Sequence, residues 1–278
     1  VSNAIRAKLI HILNSTTQKC QTPCGLAKKL LGFRCDMASP AMGANLDLFH
    51  LNAAGQPMIF KPKFISFDCY GTLINFEMGP TAKVLFKERV SADRMPAFLD
   101  SFKAYRLDEV LGEWKPFFDV VENSIQRACR THGIECLTSD ATALYDAVPT
   151  WQPHPNVVEV LEAIAPHVPL VILSNSMVDL IPHSVAHLKA PFHAVYTAEE
   201  AGAYKPRMQA FEHMFDQLGC GPDQMMHVSS SFRYDLMTAS DLGFMAKAFI
   251  DRGHEPTSTE YGVNRLTDVR QLPALLGL

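Results

Sequence analysis

Apolar runs and helical stripes alternate along this chain from Phe64 onward. Phe64-Ile65-Ser66-Phe67 is a short apolar run that stops at Asp68 and a Gly71-Thr72 pair, the pattern of a buried strand opening into a loop. From about Thr81 to Gly133, Leu, Val, Phe and Trp recur at three-to-four spacing, which predicts helices. Turn-rich text over Val148–Pro155 precedes a predicted helix over about Asn156–Ala165. Val168–Leu173 predicts a second buried strand, ending in Ser174-Asn175-Ser176. A helical segment and a short strand near Ala194–Tyr196 lead to Tyr204-Lys205-Pro206. A helix over about Met208–Leu218 and strands over Met225–Val228 and Ala246–Ile250 complete the pattern.

Strands alternating with helices predict an α/β fold, a Rossmann-like parallel sheet with helices on both faces. Such sheets bind ligands beyond the carboxyl ends of their strands. The polar clusters fall at those ends: Asp68, Ser174-Asn175, Lys205, and Ser229 through Asp235. The helical stretch between the first two strands is too long for a simple crossover and reads as an inserted α-helical cap. The expected division is a core of residues 58–80 and 148–278, with a cap over 81–147. Residues 1–57 differ in texture. They hold a short amphipathic patch, Ala4–Leu13, then polar text without sustained periodicity. The patch is too short, and too interrupted by Arg6, Lys8 and His11, for a secretory signal. Met58 stands just before the first strong strand, so the native start is expected at or near it, with 1–57 a disordered extension or not native.

Composition narrows the function classes. At 278 residues and 47% hydrophobic, the chain is long and apolar enough for a full core. A net charge of -4 offers no basic footprint for a nucleic-acid partner. No apolar run reaches the roughly 18 residues of a membrane span. Seven scattered cysteines make no disulfide framework, and Cys20, Cys24 and Cys35 lack a fourth partner at zinc-like spacing, so a reducing, cytoplasmic compartment is expected. His154, His183, His187, His213 and His227 share no metal-ligand or triad spacing and are expected mostly at the surface or in turns. Cys69 is expected as a small buried neighbour of the Asp68 loop.

Asp68-Cys69-Tyr70-Gly71-Thr72 is the most specific feature. An aspartate at a strand end, followed by a glycine-permitted tight loop, can present its carboxylate as a nucleophile. With the later polar strand ends in the right order, the chain resembles the haloacid dehalogenase (HAD) superfamily over roughly residues 60–275. Within it, Tyr70 stands where phosphatases carry a second aspartate as general acid, and a tyrosine is far too weak an acid near neutral pH. Ser229-Ser230-Ser231 replaces the acidic residues that hold magnesium, leaving Asp235. Both departures resemble the (S)-2-haloacid dehalogenases.

That resemblance implies metal-independent hydrolysis of short 2-haloalkanoic acids to 2-hydroxy acids through an ester on Asp68, with no cofactor. It implies that Lys205 is the counter-charge for Asp68 and Asp235, that Thr72 orients Asp68, and that Asp235 fixes Lys205. Ser174 and Asn175 would bind the substrate carboxylate, with Tyr70 and Ser230 beside it, and Arg106 on the cap would receive the halide. Arg127 and Arg130 are competing arginines in the same region. Phe211 stands where the family usually has tyrosine, and the last motif lacks an asparagine and is about one residue longer. Two alternatives follow: a magnesium-dependent phosphatase on the same fold, and a catalytically idle protein that binds a small carboxylate. The partner expected is a small 2-haloacid, and exposed cap helices leave a homodimer open.

Overall fold

The computed structural model describes residues 61–278 together with the backbone of a two-residue antiparallel strand pair, His50–Leu51 with Pro57–Met58. The expectations for the rest of residues 1–57, including the Ala4–Leu13 patch, Cys20, Cys24 and Cys35, lie outside the described residues.

Six parallel strands make the central sheet. They are β1 (Phe64–Phe67), β2 (Leu170–Ser174), β3 (Phe192–Thr197), β4 (Met225–Ser229), β5 (Ala246–Ile250) and β6 (Asn264–Leu266), in the order β3-β2-β1-β4-β5-β6. Every residue of β1, β2 and β4 is buried, as expected of strands covered on both faces. Alternate side chains serve two cores. Ile65, Phe67, Leu170, Ile172, Met226 and Val228 join one cluster, whereas Phe64, Val171, Leu173 and Met225 join another with Phe211, Met214 and Phe244. β6 is the strand that sequence pattern missed: Asn264-Arg265-Leu266 is a short polar edge strand with only Leu266 buried.

Chain order reverses at β1. The path runs outward through β2 and β3, then returns to β4 on the other side and continues to β5 and β6. The crevice past the carboxyl ends of β1 and β4 is therefore the switch point at which such sheets bind ligands.

Between β1 and β2 lie four helices: α1 (Met78–Phe86), α2 (Met95–Leu111), α3 (Phe117–His132) and α4 (Thr138–Asp146). The chain enters and leaves this layer as a paired strip, with Asn75 N donating to Gln152 O (2.9 Å) and His154 N to Leu73 O (2.9 Å). α3 buries Phe117, Val120, Val121, Ser124, Ile125 and Ala128, a continuous stripe at helical spacing. One ion pair ties the layer together: Arg89 donates to both oxygens of Asp140 at 2.7 Å, and Leu137 N donates to the same carboxylate. Around the sheet run α5 (Val157–Ile164), α6 (Ile181–Leu188), α7 (Ala198–Ala201), α8 (Met208–Leu218), α9 (Met237–Asp241) and α10 (Leu272–Leu275).

Asp140 is 1% exposed, and Arg89→Ala leaves its charge without a cation. The expected cost in urea denaturation is about 3 kcal/mol, the lower end for a broken buried pair, because Arg89 is itself partly exposed.

Candidate active site

The loop after β1 turns at once. Gly71 adopts φ +94°, a conformation that L side chains rarely take, and an added Cβ would lie 3.5 Å from Ser230 Oγ. The turn brings Thr72 back under Asp68, where Thr72 Oγ1 donates to Asp68 Oδ2 at 2.6 Å. Ser230 N, just past β4, donates to Thr72 Oγ1 at 2.9 Å. The two strands flanking the switch point are thus joined through one hydroxyl.

The other carboxylate oxygen faces a cation. Lys205 Nζ donates to Asp68 Oδ1 at 2.8 Å and to Leu173 O at 2.7 Å, and pairs with Asp235 Oδ1 at 2.7 Å. An ammonium has three hydrogens, and three oxygens surround this one. Asn175 fixes the backbone that carries it: Lys205 N donates to Asn175 Oδ1 (2.7 Å), and Asn175 Nδ2 donates to Lys205 O (2.9 Å). Asp235 also faces His227 Nε2 at 3.0 Å and accepts from Ser229 Oγ at 3.0 Å. His227 Nδ1 in turn lies 2.8 Å from Ser66 Oγ, its register partner on β1.

His227 corrects the expectation for the histidines. It is fully buried in the middle of β4, with Phe211 and Phe244 packed against its ring. The signal was present in Met226-His227-Val228. A histidine inside a strand buried on both faces must find polar partners. Phe211 sits in the core behind this ring, and it is absent from the residues lining the cavity.

Burial sets the protonation balance. It pushes the Asp68 carboxyl above its ordinary value, an effect that Lys205 opposes and Asp235 reinforces. Burial would also raise Asp235, but Lys205 and the His227 hydrogen bond outweigh it and hold that carboxyl below the ordinary range. For Lys205, burial favours the neutral amine, and the two carboxylates overcome this to keep the pKa above 10.5. The cluster therefore holds a charged lysine and an ionised Asp235, with its most readily acquired proton on Asp68.

A cavity of about 330 Å³ opens over Asp68 between the strand ends and the helical layer. Tyr70, Asn175, Ser230 and Asp235 line it from the sheet side; Leu99, Arg106, Val110, Phe117 and Val120 line it from the helices. Arg106 has Nε and Nη1 buried without a hydrogen-bond partner among the described residues, and its guanidinium lies over the rings of Phe102 (4.6 Å) and Phe76 (5.1 Å). Burial lowers its pKa to about 10, so it stays cationic near neutrality. The competing arginines are placed differently. Arg127 is paired with Asp108 (2.8 Å) and Glu109 (2.6 Å), and Arg130 is exposed. Ser174 does not line the cavity; its hydroxyl is buried without a partner among the described residues. The Tyr70 hydroxyl lies 3.3 Å from Ser176 Oγ and 3.4 Å from Ser184 Oγ, and burial raises its pKa to about 12.

Among the described residues no three His, Cys, Asp or Glu side chains cluster closely enough to hold a hard divalent ion, and Lys205 occupies the position between the two carboxylates. No described helix is long and apolar enough to cross a membrane.

A parallel α/β sheet with an aspartate at its switch point, a lysine shared with a second aspartate and a helical layer above defines a class of hydrolase. Residues 62–243 match the haloacid dehalogenase-like hydrolase family, and the chain belongs to it. It is 25% identical to the (S)-2-haloacid dehalogenase of Xanthobacter autotrophicus over 189 residues, 66% of this chain and 72% of that one. It is also 25% identical to haloacetate dehalogenase H-2 of Moraxella sp. (strain B) over 215 residues, 72% of this chain and 93% of that one. A solved L-2-haloacid dehalogenase from Xanthobacter autotrophicus superposes with a TM-score of 0.64 at 20% identity, covering 78% of this chain and 98% of its own, a likeness of fold.

Lys205→Met removes the cation from two buried carboxylates, and stability at pH 7 is expected to fall by at least about 3 kcal/mol. In that variant Asp68, already raised above its ordinary value of about 3.8 by burial, loses the cation that opposes the rise. The stability linked to Asp68 is then fully present below pH 3.8 and is lost as pH rises through its raised pKa. Denaturant melts at pH 7 and pH 5 should show a smaller deficit at the lower pH.

Proposed function

We propose that this hydrolase removes halide from short 2-haloalkanoic acids through a covalent ester on Asp68, without a metal. The observation that carries this reading is the pairing of two unlike positions in one cavity. At one, a carboxylate is held by Lys205 and Thr72; at the other, a guanidinium whose Nε and Nη1 have no partner among the described residues rests on aromatic rings. The first suits a fixed nucleophile and the second suits a departing anion.

In this reading an Asp68 oxygen attacks C2 of the substrate in line with the carbon–halogen bond. The bond electrons leave with the halide toward Arg106, and C2 inverts. Asp68 and the substrate carboxylate repel each other, so Lys205 offsets one charge and polar groups at the strand ends receive the other. Tyr70, Asn175 and Ser230 are in reach by lining the cavity, whereas Ser174 lies outside its lining. Water then adds to the Asp68 carboxyl carbon, the bond to the ester oxygen breaks, and a 2-hydroxy acid departs. Lys205 stabilises the oxyanion of that addition, and Asp235 keeps the ammonium in place. The tyrosine at position 70 speaks against phosphoryl transfer: with a pKa near 12 it does not supply the proton a phosphate leaving group requires.

(S)-2-chloropropionate incubated with excess EDTA should release chloride, and Asp68→Asn should abolish release. Arg106→Gln should lower kcat/KM by about a hundredfold, the scale of one lost donor at a developing charge. The acid limb of kcat/KM should lie above pH 3.8, because Asp68 must ionise and burial raises its pKa. Chelator-sensitive cleavage of a phosphate ester, with no halide release, would replace this reading with the phosphatase; silence in both assays would favour the idle carboxylate binder.

A further inference from the structure

The loop after β4 does not continue as an α-helix. Phe232–Leu236 is a π-helical turn, with Leu236 N donating to Ser231 O at 3.1 Å. This turn must deliver Asp235 inward to Lys205 while leaving Ser230 N aimed at Thr72. Its own first N–H groups have no partner within the turn. They find one in a segment that no sequence motif marked.

Glu255 follows β5 and precedes Pro256, which restricts its backbone to extended conformations. Its carboxylate accepts from Ser231 Oγ on Oε1 (2.8 Å), and from Phe232 N (2.9 Å) and Arg233 N (3.3 Å) on Oε2. Ser231 Oγ passes the order on by accepting from Tyr234 N at 3.0 Å. The same stretch of chain touches two other parts of the site. Arg252 Nη2 donates to Thr72 O at 3.0 Å, and Lys103 Nζ, on α2, donates to His254 O at 3.3 Å. Residues 252–255 therefore bind the nucleophile loop, the turn that carries Asp235, and the helical layer, and both His254 and Glu255 line the cavity.

We infer that Glu255 is a positioning residue of the active site, acting as the common acceptor that fixes the Ser230–Asp235 turn and, through it, the orientation of Asp68. Two chains of contacts carry the effect. Ser230 N holds Thr72 Oγ1, which holds Asp68 Oδ2. Ser231 N donates to Ser229 Oγ (3.0 Å), which donates to Asp235 Oδ2 and so steadies the carboxylate beside Lys205. A short carboxylate–hydroxyl bond at 2.6 Å tolerates little displacement. Loosening the turn thus lowers the fraction of enzyme in which Asp68 is aligned, and affects turnover more than substrate capture. The kinetic part of this inference rests on the proposed dehalogenation; the structural part does not.

The test has two arms on the full-length protein. In the first, Glu255→Ala should lower kcat for (S)-2-chloropropionate by roughly ten- to a hundredfold, the scale of a small misplacement in the reacting geometry, with KM within about threefold. Glu255→Gln keeps one oxygen for the two backbone N–H groups and gives Ser231 Oγ a donor; it should recover most of the loss. In the second arm, hydrogen exchange in Glu255→Ala should quicken in peptides spanning residues 229–236 and stay unchanged in β2 and α8. Turnover in Glu255→Ala within twofold of the parent, equal losses in Ala and Gln variants, or unchanged exchange over 229–236 would each overturn the assignment. A parent protein that releases no halide defeats the proposed reaction alone, and the exchange arm then decides on Glu255. Should Glu255→Ala fail to fold, Glu255→Asp, one methylene short, takes its place with the same expectations.

Discussion

One buried ammonium organises this candidate active site. Lys205 is 1% exposed and stands between two buried carboxylates, Asp68 and Asp235, that share the same crevice. Two such charges a few ångströms apart would not both survive burial without it, since desolvation alone costs several kcal/mol per ion. Much of the surrounding architecture serves to keep that ammonium in position. Asn175, at the end of β2, clamps its backbone from both sides, and Leu173 O takes its third hydrogen. The sheet order reverses at β1, and the segments following β1, β2, β3 and β4 converge on the one point where the cluster forms.

The cluster is asymmetric, and the asymmetry has chemical meaning. Asp235 is saturated by lysine, histidine and serine and is held ionised. Both line the cavity, but Asp68 has fewer partners and is raised by burial. A carboxylate fully engaged by donors is a poor nucleophile and a good anchor; one with an open face over a cavity is the reverse. The fold alone does not choose the reaction, since one fold hosts many. What bears on the choice is Tyr70 in the loop after Asp68, and Arg106 on α2, which lines the cavity with Nε and Nη1 lacking a hydrogen-bond partner among the described residues.

Much of this was legible in the sequence, for physical reasons that differ by element. The central strands announced themselves because burial on both faces makes Phe64–Phe67 and Leu170–Leu173 nearly continuous apolar runs. Asp68 stood out as a charge at the end of such a run, while Lys205 and Asp235 lie further on, past the ends of β3 and β4. β6 did not, because an edge strand needs neither length nor apolar content. His227 was passed over because spacing in sequence does not show register, and its partner Ser66 lies on a different strand. The π-turn and Glu255 were illegible for a related reason. An extra residue between β4 and Asp235 can be absorbed in several ways, and the carboxylate that absorbs its loose N–H groups comes from beyond β5.

The central claim, that Asp68 is a nucleophile rather than a base, is tested most directly by one turnover in ¹⁸O-labelled water with enzyme in excess over (S)-2-chloropropionate. The account predicts an unlabelled lactate product and one ¹⁸O in the peptide containing Asp68, because the product oxygen comes from the carboxylate and water restores it. Label in the lactate, with none in that peptide, would contradict it and make Asp68 a base that activates water for direct displacement.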